Sequence, residues 1–184
     1  MKELTIRGLK QSDYDNLKNI YYGAGSAPDQ MPEMVTEAMQ QVFLDYYVKE
    51  EAGHCFVVDD DGTAVGYILC APSEEKWKAF FEEHAGQPEF AVINMIYQGS
   101  KEPLVRYRDQ YPAHLHIDLL PEYQRMGLGT RLVDTLKVHL KELGISGLML
   151  CVANDNEKGI RFYRKYGFTE LEKFEHETAM GIRF

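Results

Sequence analysis

The sequence is short of cysteine, tryptophan and positive charge, and it has no long apolar run. Its three cysteines, Cys55, Cys70 and Cys151, stand in apolar, strand-like stretches. Neither their number nor their spacing suits a disulfide framework or a metal site, so they read as buried small hydrophobes and no metal is expected. Lys and Arg total 20 against 29 Asp and Glu, a net charge of -9. That balance argues against nucleic-acid binding, which needs clustered cations on phosphates, and leans toward a cationic substrate. No stretch approaches the roughly 20 apolar residues of a membrane span, so no membrane partner is expected. The opening residues Met1 to Arg7 alternate like a strand and lack the apolar core and small-residue cleavage site of a secretory leader, which predicts a cytoplasmic protein. Repeats, low-complexity tracts and linkers are also missing. With 184 residues, the chain is expected to form one domain over 1–184.

What is present is an alternation of strand and helix patterns. A strand is predicted near Leu4 to Leu9, and Ser12 stands as the N-cap of a helix through Leu17, Ile20 and Tyr21. The run Gly23-Ala24-Gly25-Ser26-Ala27-Pro28 breaks that helix. A second helix is expected from Pro32 to Val48, with Met34, Val35, Ala38, Met39, Val42 and Phe43 as its buried stripe. His54 to Val58 and Ala64 to Leu69 flank an Asp-Gly turn and read as a hairpin. Between positions 72 and 112 only two helices can be assigned, Glu74 to His84 and another around Phe90 to Gln98. Connections of this length often form lids or binding loops. Its aromatics, Trp77, Phe80, Phe81, Tyr97 and Tyr107, suit an acceptor pocket, a face for a homodimer, or a hydrophobic cluster that pins the insertion. Beyond it the pattern sharpens: strand (His114 to Leu120), loop, helix (Gly129 to Leu143), strand (Leu148 to Val152), helix (Asn156 to Tyr166) and two final strands. This is an α/β layer fold.

The segment Gln124-Arg125-Met126-Gly127-Leu128-Gly129-Thr130 lies between a strand and an amphipathic helix. Gly127 and Gly129 remove side chains where backbone must approach an anion, and the amides that follow converge at a positive helix N-terminus. Arg125 and Arg131 stand close enough to add charge-assisted bonds to phosphate oxygens, and a solvated surface position explains either equally. Two glycines before a helix are a weak signal alone, and a plain tight turn explains them equally. The order of a nucleoside triphosphate loop is absent, as is the third glycine of the dinucleotide fingerprint.

The stretch Ile117 to Gly129 resembles the central motif of the GNAT N-acetyltransferases: an apolar strand, a turn containing Pro121, then Gln/Arg-x-x-Gly-x-Gly/Ala. Downstream, Asn156-Glu157-Lys158-Gly159-Ile160-Arg161-Phe162-Tyr163 through Gly167-Phe168 is similar to the family's Asn-x-x-Ala-x-x-Phe-Tyr-x-x-x-Gly-Phe helix. The His114 to Gln124 version looks like a subgroup that includes the acetyltransferase-like domain of protein O-GlcNAcase and its free-standing bacterial relatives. Some of that subgroup have lost acetyl-CoA binding. The resemblance implies a mixed sheet of about seven strands with helices on both faces and a splay between strands four and five. It also implies acetyl-CoA as co-substrate and a primary amine as acceptor, the alternative being an inactive module that binds a peptide or protein.

By the same resemblance, the backbone N–H near Leu119 or Leu120 would polarise the thioester carbonyl. The amides from Arg125 to Thr130, with Gln124, Met126 and Leu128 in the same loop, would hold the pyrophosphate. Tyr163 matches the position that protonates the departing thiolate, or else packs the helix on the sheet. Asn156 matches a helix cap that also meets the pantetheine arm. Gly159 replaces the family's Ala, for close approach of that arm or for tight packing. His114, His116 and Asp118 alternate onto one face of a central strand, where apolar residues are the rule. They form either a structural row or the wall of the acceptor site. His116 falls where many members carry an acidic base, with Asp118 as second choice.

Overall fold

The structure is a computed structural model, and it describes residues 4–24 and 31–184. Seven strands form one sheet in the order β1-β2-β3-β4-β5-β7-β6. They are β1 (Thr5–Gly8), β2 (Phe56–Asp60), β3 (Thr63–Ala71), β4 (Ala113–Leu119), β5 (Gly147–Ala153), β6 (Thr169–Lys173) and β7 (Glu177–Arg183). Every neighbouring pair is antiparallel except β4 and β5, which run parallel. The hairpin between β2 and β3 turns on Asp61 and Gly62, both at positive φ (54° and 88°), the two-residue geometry that matches strand twist. His54 falls outside it, in a short 3-10 turn.

One face of the sheet carries the helices α1 (Tyr14–Gly23), α2 (Glu33–Gln40), α3 (Tyr46–Glu50), α4 (Glu74–His84) and α5 (Ala91–Tyr107); the other carries α6 (Leu128–Glu142) and α7 (Glu157–Tyr166). α6 lays Leu128, Leu132, Val133, Leu136 and Leu140 on the sheet, a 3-4 stripe that is almost wholly buried. The central strand β3 is buried from Ala64 to Ala71, as expected where both faces are covered. Among the described residues, no helix is long and apolar enough to cross a membrane.

Four local expectations need correction. Asp13, not Ser12, precedes α1; its carboxylate accepts from the Arg7 guanidinium and from the Lys10 amide, so it is held in place while Ser12 sits inside a 3-10 turn. Of the expected break, Gly23 is the last residue of α1, and Gly25 to Pro28 lie outside the described residues. The helix predicted from Pro32 to Val48 contains a π turn at Gln41–Asp45. Met34, at the start of the helix, is 64% exposed, and beyond the π turn Leu44, Tyr46, Tyr47 and Val48 belong to the core. Finally, α5 does not stop near Gln98 but continues through Gly99 and Pro103 to Tyr107. Burial of Ile93, Tyr97 and Leu104 outweighs the two helix breakers, and Ser100 Oγ donates to the Ile96 carbonyl.

The insertion's aromatics act mainly as core. Trp77, Phe81 and Tyr97 are buried and pack ring on ring, with Trp77–Tyr97 and Phe81–Tyr97 centroids 5.0 and 5.2 Å apart. Tyr107 is bound outward, its hydroxyl donating to Glu172 at 3.0 Å.

Candidate functional site

A groove of about 1430 Å³ crosses the molecule from the loop before α6, through the sheet between β4 and β5, to the face covered by α1 and α5. The opening follows from strand register. β4 and β5 pair only at Ala113↔Leu148 and His114↔Met149, then diverge. Residues of β4 alternate between bonding β3 and facing the other neighbour. Since the Leu120 N–H donates to the Val65 carbonyl at 3.1 Å, the even-numbered residues serve β3. The backbone groups of Ile117 and Leu119 therefore turn toward the gap. The Leu119 carbonyl accepts from Gln124 Nε2 at 3.1 Å, which leaves its N–H as the donor facing the opening. Of the two amides expected to meet a carbonyl oxygen, Leu120 is thus committed to the sheet and Leu119 is not.

The loop has the shape of an anion cradle. Arg125 and Gly127 both adopt left-handed φ (63° and 77°), and Gly127 caps α6. A non-glycine residue at positive φ is uncommon, and alternation of this kind turns successive amides to one side. The first intrahelical bond beyond the cap is from the Arg131 amide to the Gly127 carbonyl, so the amides of Leu128, Gly129 and Thr130 find no partner among the described residues at the positive end of the helix. These residues border the groove with Gln124 and Arg125, whereas the Met126 side chain is turned to solvent. Arg131 does not join them, because its guanidinium donates to the Leu4 carbonyl. Lys137, Lys158, Arg161 and Lys165 supply further positive charge along this half. Such an arrangement fits a pyrophosphate.

The remaining glycines have different reasons. A Cβ on Gly129 would stand 3.1 Å from the Phe162 ring, so its absence lets α6 and α7 approach. A Cβ on Gly159 would stand 2.9 Å from the Asn156 amide group. Gly159 thus packs tightly against the cap, and it also borders the groove. Asn156 Oδ1 accepts from the Gly159 N–H at 2.9 Å, the N-cap bond expected of it, and the residue also borders the groove.

Tyr163, two helical turns beyond Asn156, faces the same groove. Its ring packs against Phe162 and Phe168, so packing and exposure to the groove coexist. Burial, followed by the nearby charge of Asp118, holds its phenol protonated well above the ordinary value.

The polar row on β4 divides. His114 is 2% exposed and packs against Tyr47 and Trp77; neither ring nitrogen finds a partner among the described residues. Burial, then the neighbouring His116, lowers its pKa to about 3. His116 borders the groove between Phe43 and Tyr47, and burial lowers its pKa to about 4. The sequence suggested a histidine poised near neutrality; the surrounding rings make it a much weaker base. Asp118 accepts a 2.6 Å hydrogen bond from Tyr67, its cross-strand neighbour on β3. Sequence reasoning missed Tyr67, although its register in the hairpin contained the signal. It also missed Cys151 and Glu177, which border the groove from β5 and β7 and which only the strand order brings there.

Residues 17–168 match the family described as "Acetyltransferase (GNAT) family". Among proteins similar to this chain is an N-alpha-acetyltransferase of Sulfurisphaera tokodaii, 27% identical over 98% of this chain and 89% of that protein. Another is the "Uncharacterized N-acetyltransferase MJ1207" of Methanocaldococcus jannaschii, 23% identical over 94% of this chain. The chain spans only 63% of that relative's length. The crystal structure of SsHAT superposes with a TM-score of 0.82 at 26% identity, covering 98% of both chains. A PaiA N-acetyltransferase from Thermoplasma acidophilum, solved in complex with coenzyme A, gives 0.64 at 18% identity over 99% of both chains, a likeness of fold.

Proposed function

Because this chain belongs to the acetyltransferase (GNAT) family, we propose that it transfers the acetyl group of acetyl-CoA to a primary amine in a ternary complex, acting in the cytoplasm. The carrying observation is that one groove joins the amide cradle at Arg125–Thr130 to the β4–β5 opening, where the Leu119 N–H and Tyr163 meet it. Cys55, Cys70 and Cys151 are all free thiols, in keeping with a reducing compartment.

Acetyl-CoA supplies the acetyl group in activated form, as a thioester. The cradle holds the pyrophosphate through the amides of Leu128, Gly129 and Thr130, with Arg125 adding charge. The Leu119 N–H donates to the carbonyl oxygen as negative charge develops there, a fixed dipole aimed at the developing charge. Tyr163, kept protonated by burial and by Asp118, gives its proton to the leaving thiolate. Asp118 takes the proton of the attacking amine, directly or through water. His116, whose basicity is reduced, shapes the wall with Phe43 and Tyr47.

The likeness of His114 to Gln124 to the O-GlcNAcase subgroup rests on those residues; the named relatives above are archaeal N-acetyltransferases, which favours the enzyme over an inactive binding module. Acetyl-CoA should raise the melting temperature with concentration, since it binds the native state alone. Gly127→Val should remove that shift: no neighbour stands within 4 Å of a Cβ there, so the variant folds, but the side chain resists φ +77° and the cradle is lost. A melting temperature that stays flat with acetyl-CoA would refute the enzyme reading and leave the binding module.

A further inference from the structure

The two sides of the groove differ in charge. Among the described residues, Lys and Arg border it only from the loop, α6 and α7, where they outnumber Asp134 and Asp155. On the opposite face of the sheet the groove is bordered, among the described residues, by two carboxylates, Asp118 and Glu177, and by no Lys or Arg. Strand register shows how these two are related. Since His114 pairs with Met149, four residues further along the parallel strands Asp118 comes level with Ala153 across the gap. Ala153 in turn pairs with Glu177 on β7. Residues in register share a face, so the three side chains project the same way, with only the exposed methyl of Ala153 between the acids.

Glu177 also lacks a Lys or Arg partner among the described residues, its hydrogen bond being to the neutral Cys151 thiol. It is partly buried, and no Lys or Arg side chain forms an ion pair with it among the described residues. Burial raises its pKa, against which the Cys151 thiol donates a hydrogen bond and the mostly exposed His176 lies nearby. A carboxylate in that state gains from any cation brought to it.

Building on the acetyltransferase reading, we propose that Glu177 is a specificity-determining residue that holds a second cationic group of the acceptor, which makes the preferred substrate a diamine-type cation. The acceptor lies along the row from Asp118 to Glu177, its reacting nitrogen at the gap and its other ammonium on Glu177. β5 and β7 are paired, about 4.8 Å apart, whereas the splayed β4–β5 gap is wider; a chain of about five methylenes reaches from within that gap across β5 to Glu177.

The test compares 1,5-diaminopentane with 1-aminopentane, which lacks the second charge, by CoA release from acetyl-CoA. The intact protein should favour the diamine in kcat/KM by roughly tenfold or more, the usual effect of a charge-assisted contact. Glu177→Gln should bring the two substrates close together by lowering the diamine, and Glu177→Asp should restore part of the preference. The acetyl-CoA thermal shift is measured on every variant. If that shift and amine acetylation persist while Glu177→Gln keeps the diamine preference, or lowers both amines equally, this inference falls alone. An absent preference in the intact protein overturns it as well. An absent shift with no acetylation removes the acetyltransferase reading and this inference together.

Discussion

Tyr163→Phe removes one oxygen and leaves the rest of the site in place. The ring contacts to Phe162 and Phe168, at 5.2 and 5.6 Å between centroids, need no hydroxyl, so stability should change by less than about 1 kcal/mol. Rate should change far more. General acids typically contribute 10²- to 10⁴-fold, and the lower end applies here because a thiol with a pKa near 8.5 leaves tolerably as thiolate. A loss of about 10²-fold in kcat, roughly 2.7 kcal/mol of barrier, is expected, with acetyl-CoA affinity nearly unchanged. Because burial and then Asp118 hold the phenol protonated well above its ordinary range, the intact protein should show no alkaline fall from this group at neutral or mildly alkaline pH. The assay is thiol release followed under single-turnover conditions, with a thermal melt of each variant in parallel. Unaltered turnover where chemistry limits the rate would refute the assignment of Tyr163 as acid.

Two further outcomes concern the histidines of β4. His116→Ala should leave the shape of the pH–rate profile unchanged between pH 6 and 8, because a group lowered to about 4 does not titrate there, while the melting temperature falls with the lost contacts to Phe43 and Tyr47; a displaced acid arm would return the base to His116. His114 has a folded pKa of about 3 against 6.5 unfolded, so the unfolded chain binds the extra proton and stability is lost as pH falls below about 6.5 toward 3. Replacing it by Phe removes two unpartnered nitrogens from the core, so urea midpoints should rise by the equivalent of about 1 kcal/mol at pH 7 and decline less steeply toward pH 5; a lower midpoint at both pH values would refute this account.

Much of the fold and part of the site were legible in the residues themselves. The Asp61-Gly62 turn, the stripe on α6 and the Asn156 cap are local matters, settled by backbone freedom, capping and a 3.6-residue period, and each lies where the pattern put it. Arg125 shows the limit of such reading, since nothing in its side chain announces a positive φ. The helix α5 crossed Gly99 and Pro103 because tertiary burial exceeded local preference, and the π turn at Gln41–Asp45 interrupts the helix expected from Pro32 to Val48. Tertiary structure alone decided the chemistry of the β4 row: alternation put His114, His116 and Asp118 on one face, but only the rings packed around them made the histidines weak bases. It decided the donor as well, because the register of β4 on β3 commits the amide of Leu120 and leaves that of Leu119 at the gap. Glu177 reaches the groove through a strand order in which β7 lies beside β5, a pairing between segments distant in sequence that no local period encodes.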